Sequence, residues 1–227
     1  MSNKIVNNKI LAELIAECAA AKVTLIAVSK TKPTAAIEEL YAQGQRAFGE
    51  NYVQELVEKQ AQLPSDIEWH FIGHLQSNKV KMIAPFVQLI HAVDSFKLLE
   101  EINKQAAKNN RVIDVLLQLH IATEDTKYGM DENELMTCLE YYSAQRESLA
   151  HIRVRGIMGM GSFTDDEAQT RTELQQIHTA FLQMKKCFFV GKDYFDTCSM
   201  GMSGDYKIAI EEGSTMVRIG SMLFGKR

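Results

Sequence analysis

"VTLIAVSKTKPT", Val23–Thr34, decides the reading of this chain. Six of its first seven residues suit a buried strand, and the run then passes through a serine into Lys30. Lysine is normally kept on the surface. Its place at the end of a dry strand raises the question of what the rest of the chain brings near that ammonium.

Seven similar runs follow: "RAFGE" (46–50), "EWHFIG" (68–73), "QLIHAVD" (88–94), "VIDVLLQLHI" (112–121), "IRVRGIMGM" (152–160), "YFDTCS" (194–199) and "TMVRIG" (215–220). Helical patterns separate them. "TDDE" at Thr164–Glu167 has the form of a capping box, and Ser77, Ser95 and Ser203 stand where N-caps would. Strands that alternate with helices pair in parallel through right-handed crossovers. Eight such units in 227 residues fit an α/β fold of the (β/α)8 TIM-barrel type. An open doubly wound sheet is the alternative, and the missing GxGxxG after the first run weakens its dinucleotide-binding form. With three prolines and no Gly/Ser-rich linker, residues 1–227 read as a single domain.

Hydrophobic residues make up 46% of the chain and charged residues 24%, which is ordinary for a globular protein. The net charge of −4 and the lack of a basic stripe exclude nucleic acid as an expected partner. Cys18, Cys138, Cys187 and Cys198 form no CxxC, so neither a disulfide framework nor a zinc site is expected. Near the N-terminus, Ile10, Leu11, Leu14, Ile15 and Cys18 fall at helical spacing, interrupted by Glu13 and Glu17. That pattern is an amphipathic helix rather than a signal peptide. No run is long enough to span a membrane, and a cytoplasmic location is expected.

In a barrel the chemistry sits at the carboxyl ends of the strands, often with a phosphate site after strands 7 and 8. Here those places hold "SMGMSGD" (Ser199–Asp205) and "RIGSM" (Arg218–Met222). Small residues and hydroxyls let backbone N–H groups close on an anion, and Ser203 would open a helix there. Either loop alone is ordinary turn chemistry. Barrel closure sets strand 1 beside strand 8, so Lys30 would lie roughly two strand spacings, ~10 Å, from the strand-7 loop. A desolvated lysine amine near other cations forms imines with carbonyls.

"AVSKTKP", "FGENYVQE", "WHFIGHLQSNK", "DTCSMGMSGD" and "GSTMVRIG" together resemble, in order and along nearly the whole chain, the pyridoxal 5′-phosphate homeostasis proteins, single-domain relatives of the alanine racemase barrel. The resemblance implies an alanine racemase N-terminal-domain type of barrel with pyridoxal 5′-phosphate as cofactor, carried by Lys30 as an internal aldimine. It also implies that Ser199, Gly220 and Ser221 hold the phosphate, that Arg218 faces the pyridine nitrogen, and that Asn51 sits beside the ring. Cys198 stands where leucine is usual, and Ser221 where threonine is frequent. "TEDTKYG" matches a looser segment of the family, which makes Lys127 a candidate second-site or transfer residue.

Several residues also have simpler readings. Asn51 could cap the following helix. His70 and His74 are four apart on a strand entering a loop, so no metal site is expected, and His74 reads as a hydrogen-bonding residue at the pocket mouth. Met158, Met160, Met200 and Met202 read as core filler, and Asp165, Asp166 and Glu167 as a helix start.

In the racemases that the chain resembles, the base on the opposite face of the cofactor comes from a C-terminal β-domain of a partner subunit. The sequence ends at Arg227, seven residues after Gly220, so that domain is expected to be absent. The expectation is therefore a non-catalytic, monomeric carrier that serves vitamin B6 and amino-acid homeostasis, with pyridoxal phosphate-dependent apoenzymes as conceivable acceptors. Two alternatives stand beside it: a residual amino-acid racemase, and a cofactor-free Schiff-base aldolase.

Overall fold

The structure is a computed structural model that describes residues 6–121 and 128–225. Eight parallel strands close into a barrel in sequential order. They are β1 (Thr24–Val28), β2 (Ala47–Glu50), β3 (Glu68–Phe71), β4 (Leu89–Val93), β5 (Ile113–His120), β6 (Ile152–Met160), β7 (Thr197–Ser199) and β8 (Met216–Ile219). The barrel closes where β1 pairs with β8, Ile26 opposite Arg218 and Ala27 opposite Ile219. Closure leaves no sheet edge, so the open doubly wound sheet is excluded.

Around the barrel run α1 (Asn8–Ala21), α2 (Thr34–Tyr41), α3 (Val53–Gln60), α4 (Val80–Ile83), α5 (Phe96–Lys108), α6 (Glu132–Ala144), α7 (Glu167–Phe188), α8 (Tyr206–Glu211) and α9 (Ser221–Phe224). Side chains alternate across each strand. Outward residues such as Ala27, Phe48, Val217 and Ile219 join the large core beneath the helices, while Ile26, Ala47, Leu89, Leu116, Met158 and Met216 fill the barrel interior. On α1, Leu11, Leu14 and Cys18 are buried as the helical spacing requires, whereas Ile15 stays 39% exposed. No helix of the described residues is long and apolar enough to cross a membrane.

β7 is half as long as its apolar run suggests, because Tyr194–Asp196 is taken up by a turn in which Phe195 N–H donates to Lys192 O. Phe195 serves the outer core instead, stacked on Phe189 and Phe181. The helix starts also differ. Ser95 does cap α5 through Leu98 N–H, but α7 is capped by Asp166 rather than by a box beginning at Thr164. Ser77 is already inside a short 3-10 turn, and α8 begins at Tyr206, after Asp205 rather than Ser203. The reciprocal capping box belongs to Asp131 and Glu134 at the start of α6.

Candidate functional site at the barrel mouth

Lys30 sits half-buried just past the carboxyl end of β1. The residue before it is tied to β2, since Ser29 N–H donates to Gly49 O at 3.0 Å. On the other flank Gly220 packs against Val28, where an added Cβ would come within 3.4 Å of Val28 Cβ. The order β7–β8–β1 therefore puts Lys30 two strands from the end of β7, about 10 Å at ordinary strand spacing.

Beneath this mouth lies a buried polar chain. Arg218, 4% exposed, donates from Nη1 to Ser199 O at 2.8 Å and Ser199 Oγ at 2.7 Å, and from Nη2 to Gly159 O at 3.0 Å. Ser199 Oγ lies 3.2 Å from His91 Nδ1, and His91 Nε2 lies 2.9 Å from His70 Nδ1. A guanidinium only donates, so Ser199 Oγ accepts from Arg218 and keeps its own proton and a second lone pair for His91 Nδ1. The His91–His70 contact joins two ring nitrogens, one of which donates to the other. Burial holds both histidines neutral: it pulls His70 down to about 4 and puts His91 well below its ordinary value, with the charges of His70 and Arg218 adding to the latter. Burial also lowers Arg218 to about 10, which leaves it protonated at neutral pH. Among the described residues no carboxylate forms an ion pair with it.

The expected phosphate residues separate. The Ser199 side chain is fully buried and its hydroxyl is engaged with Arg218 and His91, so as it stands it does not face the mouth. Ser203, four residues further along the chain, is half-buried and accepts from Gly220 N–H at 3.3 Å, which joins the β7 and β8 loops. Ser221 is exposed on the lip beside Gly220. The loop between them is set by Gly201, whose φ of +96° favours glycine and whose carbonyl accepts from Arg218 N–H at 3.0 Å.

Asn51 does not cap the next helix. The N-cap of α3 is Tyr52, with no side-chain hydrogen bond. Instead, Asn51 Oδ1 is buried without a hydrogen-bond partner among the described residues, an uncommon condition for a buried polar atom. Gly73 backs it so closely that any Cβ there would collide with the Asn51 carbonyl.

His74 lies on the rim, 3.1 Å from Asp94 Oδ2 and stacked on Tyr128 at 3.9 Å, while His70 points into the barrel, so the two do not share a site. Lys127 lies outside the described residues. Met158 and Met200 are core, and Met202 is 38% exposed at the mouth. Cys198 is a packing residue, its thiol pushed up to about 12 by burial.

The sequence reading missed Lys59, Glu50 and Glu55. Lys59 Nζ, on α3, donates to Ser29 O, Glu50 Oε1 and Glu55 Oε1 at 2.8, 2.7 and 2.7 Å. The available signal was the Glu55–Lys59 i,i+4 spacing, which reads as an exposed helix pair.

Comparison with known proteins adds to this geometry. The family model of the alanine racemase N-terminal domain matches residues 10–227. The pyridoxal phosphate homeostasis protein of Pasteurella multocida is 43% identical over 208 residues, which is 90% of this chain and 87% of that protein. Its namesake from Escherichia coli K12 is 39% identical over 210 residues, covering 91% and 86%. Among solved structures, PipY of Synechococcus elongatus, 36% identical, superposes with a TM-score of 0.85 without pyridoxal phosphate and 0.81 with it bound, covering 95% of this chain and 100% of that one. An alanine racemase from Clostridium difficile, 13% identical, shares the fold with a TM-score of 0.74 over 98% of this chain and 61% of its own.

Proposed function

The chain belongs to the alanine racemase N-terminal domain family, in the branch of the pyridoxal phosphate homeostasis proteins, and from that premise we propose that it binds pyridoxal 5′-phosphate at the barrel mouth and carries it on Lys30 without turnover. The observation that carries this reading is the β1–β8 seam. It sets a lysine at one end of a small-molecule span and the joined Ser203–Gly220 loops at the other.

Three features of the chain fit such a ligand. Lys30 offers an amine for its aldehyde. Arg218 is a buried cation whose hydrogen-bond partners among the described residues are all neutral, with donors to spare for a ring nitrogen. Asn51 Oδ1 is a buried acceptor that a hydroxyl could satisfy. We assign the phosphate to Ser203, Gly220 and Ser221, and give Ser199 the task of holding Arg218. When bound, the cofactor supplies an aldehyde that condenses with an amine and a ring that withdraws electrons. Arg218 can only donate, so a ring nitrogen beside it stays unprotonated and withdraws more weakly. The homeostasis names of the relatives favour a carrier over a racemase. We further propose that it works as a cytoplasmic monomer and hands the cofactor to apoenzymes.

Loaded protein should be yellow, and borohydride should fix a pyridoxyl group on Lys30. Lys30→Ala should abolish the visible band. A full band in that variant, or a label mapped to another lysine, overturns the assignment. L-Alanine incubated with loaded protein should yield no D-alanine above the Lys30→Ala control, and D-alanine from the wild type alone would make the protein an enzyme.

A further inference from the structure

The turn that carries Lys30 is gripped from both sides by one buried ion cluster. Before it, Ser29 is fully buried, its hydroxyl donating to Glu50 Oε1 at 2.6 Å and its carbonyl accepting from Lys59 Nζ at 2.8 Å. After it, Thr31 N–H donates at 2.6 Å to Glu55 Oε1, which is also held by Lys59 at 2.7 Å. Thr31 adopts a φ of 64°, a region that β-branched residues avoid and keep only where the surroundings impose it.

Stability does not explain the cluster. Lys59 and Glu50 are 5% and 0% exposed, and a buried ion pair is often no more stable than apolar residues of the same volume. Two carboxylates face one ammonium, and Glu50 Oε2 is buried without a hydrogen-bond partner. What the cluster does supply is direction. An ammonium has three protons, and all three of Lys59's have an acceptor, one of them the Ser29 carbonyl.

We propose that Lys59, Glu50 and Glu55 are positioning residues for Lys30: their ion cluster fixes the Ser29–Thr31 turn so that the Lys30 amine meets an aldehyde held by the β7 and β8 loops. This rests on the reading of Lys30 as the amine that takes the cofactor. In that condensation the amine adds to the carbonyl and one water leaves, so a C=N bond replaces a C=O bond and no oxidant or reductant is needed. The cluster acts before that step, by holding the amine within reach.

The test compares two ligands on the full chain. Pyridoxal phosphate, followed by its visible band, reports binding plus imine formation. Pyridoxine phosphate has an alcohol in place of the aldehyde, and calorimetry with it reports binding alone. Lys59→Met and Glu55→Ala should each lower the ratio of the two affinities by about 10- to 100-fold, the scale of a displacement of about 1 Å. Pyridoxine phosphate should bind them within about 2-fold of wild type, since its phosphate and ring-nitrogen contacts lie on the β7 and β8 loops and no bond of the cluster reaches the Asn51 side chain. Thr31→Gly, at an exposed position, frees the strained turn and should lower the same ratio by several-fold.

Should Lys59→Met fail to fold, Glu55→Ala and Thr31→Gly carry the test, because both sites are at least partly exposed. An unchanged ratio in those two overturns the inference and leaves the reading of Lys30 intact. An equal loss for both ligands also overturns it, since a merely structural role would weaken them alike. A full visible band in Lys30→Ala overturns the reading and this inference together.

Discussion

On the β1–β2 side of the mouth, Lys59 lies 5% exposed between Glu50 and Glu55. On the β7–β8 side, Arg218 is just as buried at 4%, but its bonds go to two carbonyls and a hydroxyl. One cation is compensated inside the fold, and the other is left with neutral partners. A buried charge that is fully paired has little left to offer a ligand, and its value is geometric. A buried charge held only by dipoles keeps both an electrostatic deficit and unused donors. The first arrangement suits a device that aims Lys30, and the second suits a group that meets a ligand.

The contrast can be broken most directly by removing each cation. Lys59→Met strands Glu50, whose carboxyl burial already pushes up against the pull of Lys59 and Ser29. The expected loss is about 3–5 kcal/mol in urea unfolding, with much of it recovered in Lys59→Met/Glu50→Leu. A loss below about 1 kcal/mol would mean that the cluster is not the compensated partner in the comparison.

Acid should attack the Arg218 side. His70 and His91 have folded values below their unfolded ones, so the unfolded chain binds their protons first and stability falls as pH drops below about 6.5. Each contributes up to about 1.4 kcal/mol per pH unit, so the pair should remove about 2 kcal/mol between pH 6 and 5. Glu50, with its raised folded value, works in the opposite direction nearer the carboxylate range, so the measurement belongs above about pH 5. His70→Phe should flatten the slope, and an unchanged slope would show that the chain titrates elsewhere.

Arg218→Met should cost less than Lys59→Met. Three acceptors lose a donor, but the burial of a lone guanidinium is relieved, so the net is about 1 kcal/mol. Cofactor affinity should fall even so, and a larger stability loss than that of Lys59→Met would invert the comparison. The smallest effect belongs to Asn51→Ala. It removes an acceptor that has no partner, so unfolding should shift by less than about 0.5 kcal/mol while pyridoxal phosphate binding weakens. A stability loss of about 1 kcal/mol or more would assign Asn51 a structural bond instead.

Much of the barrel was legible in the chain. Each apolar run became a strand, because a strand packed on both faces must be nearly continuous in hydrophobic residues. Boundaries failed where a side chain served two ends. Tyr194–Asp196 looked like strand because Phe195 is core, yet its backbone turns. Of the candidate site, the places of Lys30 and the two loops at strand ends were legible. Ser199 and Ser203 could not be told apart as partners for an anion, because both are serines in one loop. Only the depth of Ser199 beside Arg218 commits its hydroxyl inward.

The sequence by itself determined the alternation of strand and helix, hence a parallel sheet with its chemistry at the carboxyl ends, and it placed a lysine and two hydroxyl-rich loops there. Those are local properties, carried by periodicity and by residue type at chain positions. Tertiary structure alone decided that the sheet closes, which joins β1 to β8 and brings Lys30 toward the Ser203–Gly220 loops. It also decided which charges are dry. "VQELVEKQ" reads as a solvated helix face, and the closed barrel turns Lys59 of that helix into a buried tether for the Lys30 turn. Burial is a property of what packs against a residue, and for Lys59 that is Ser29 and Glu50, 30 and 9 positions away in the chain.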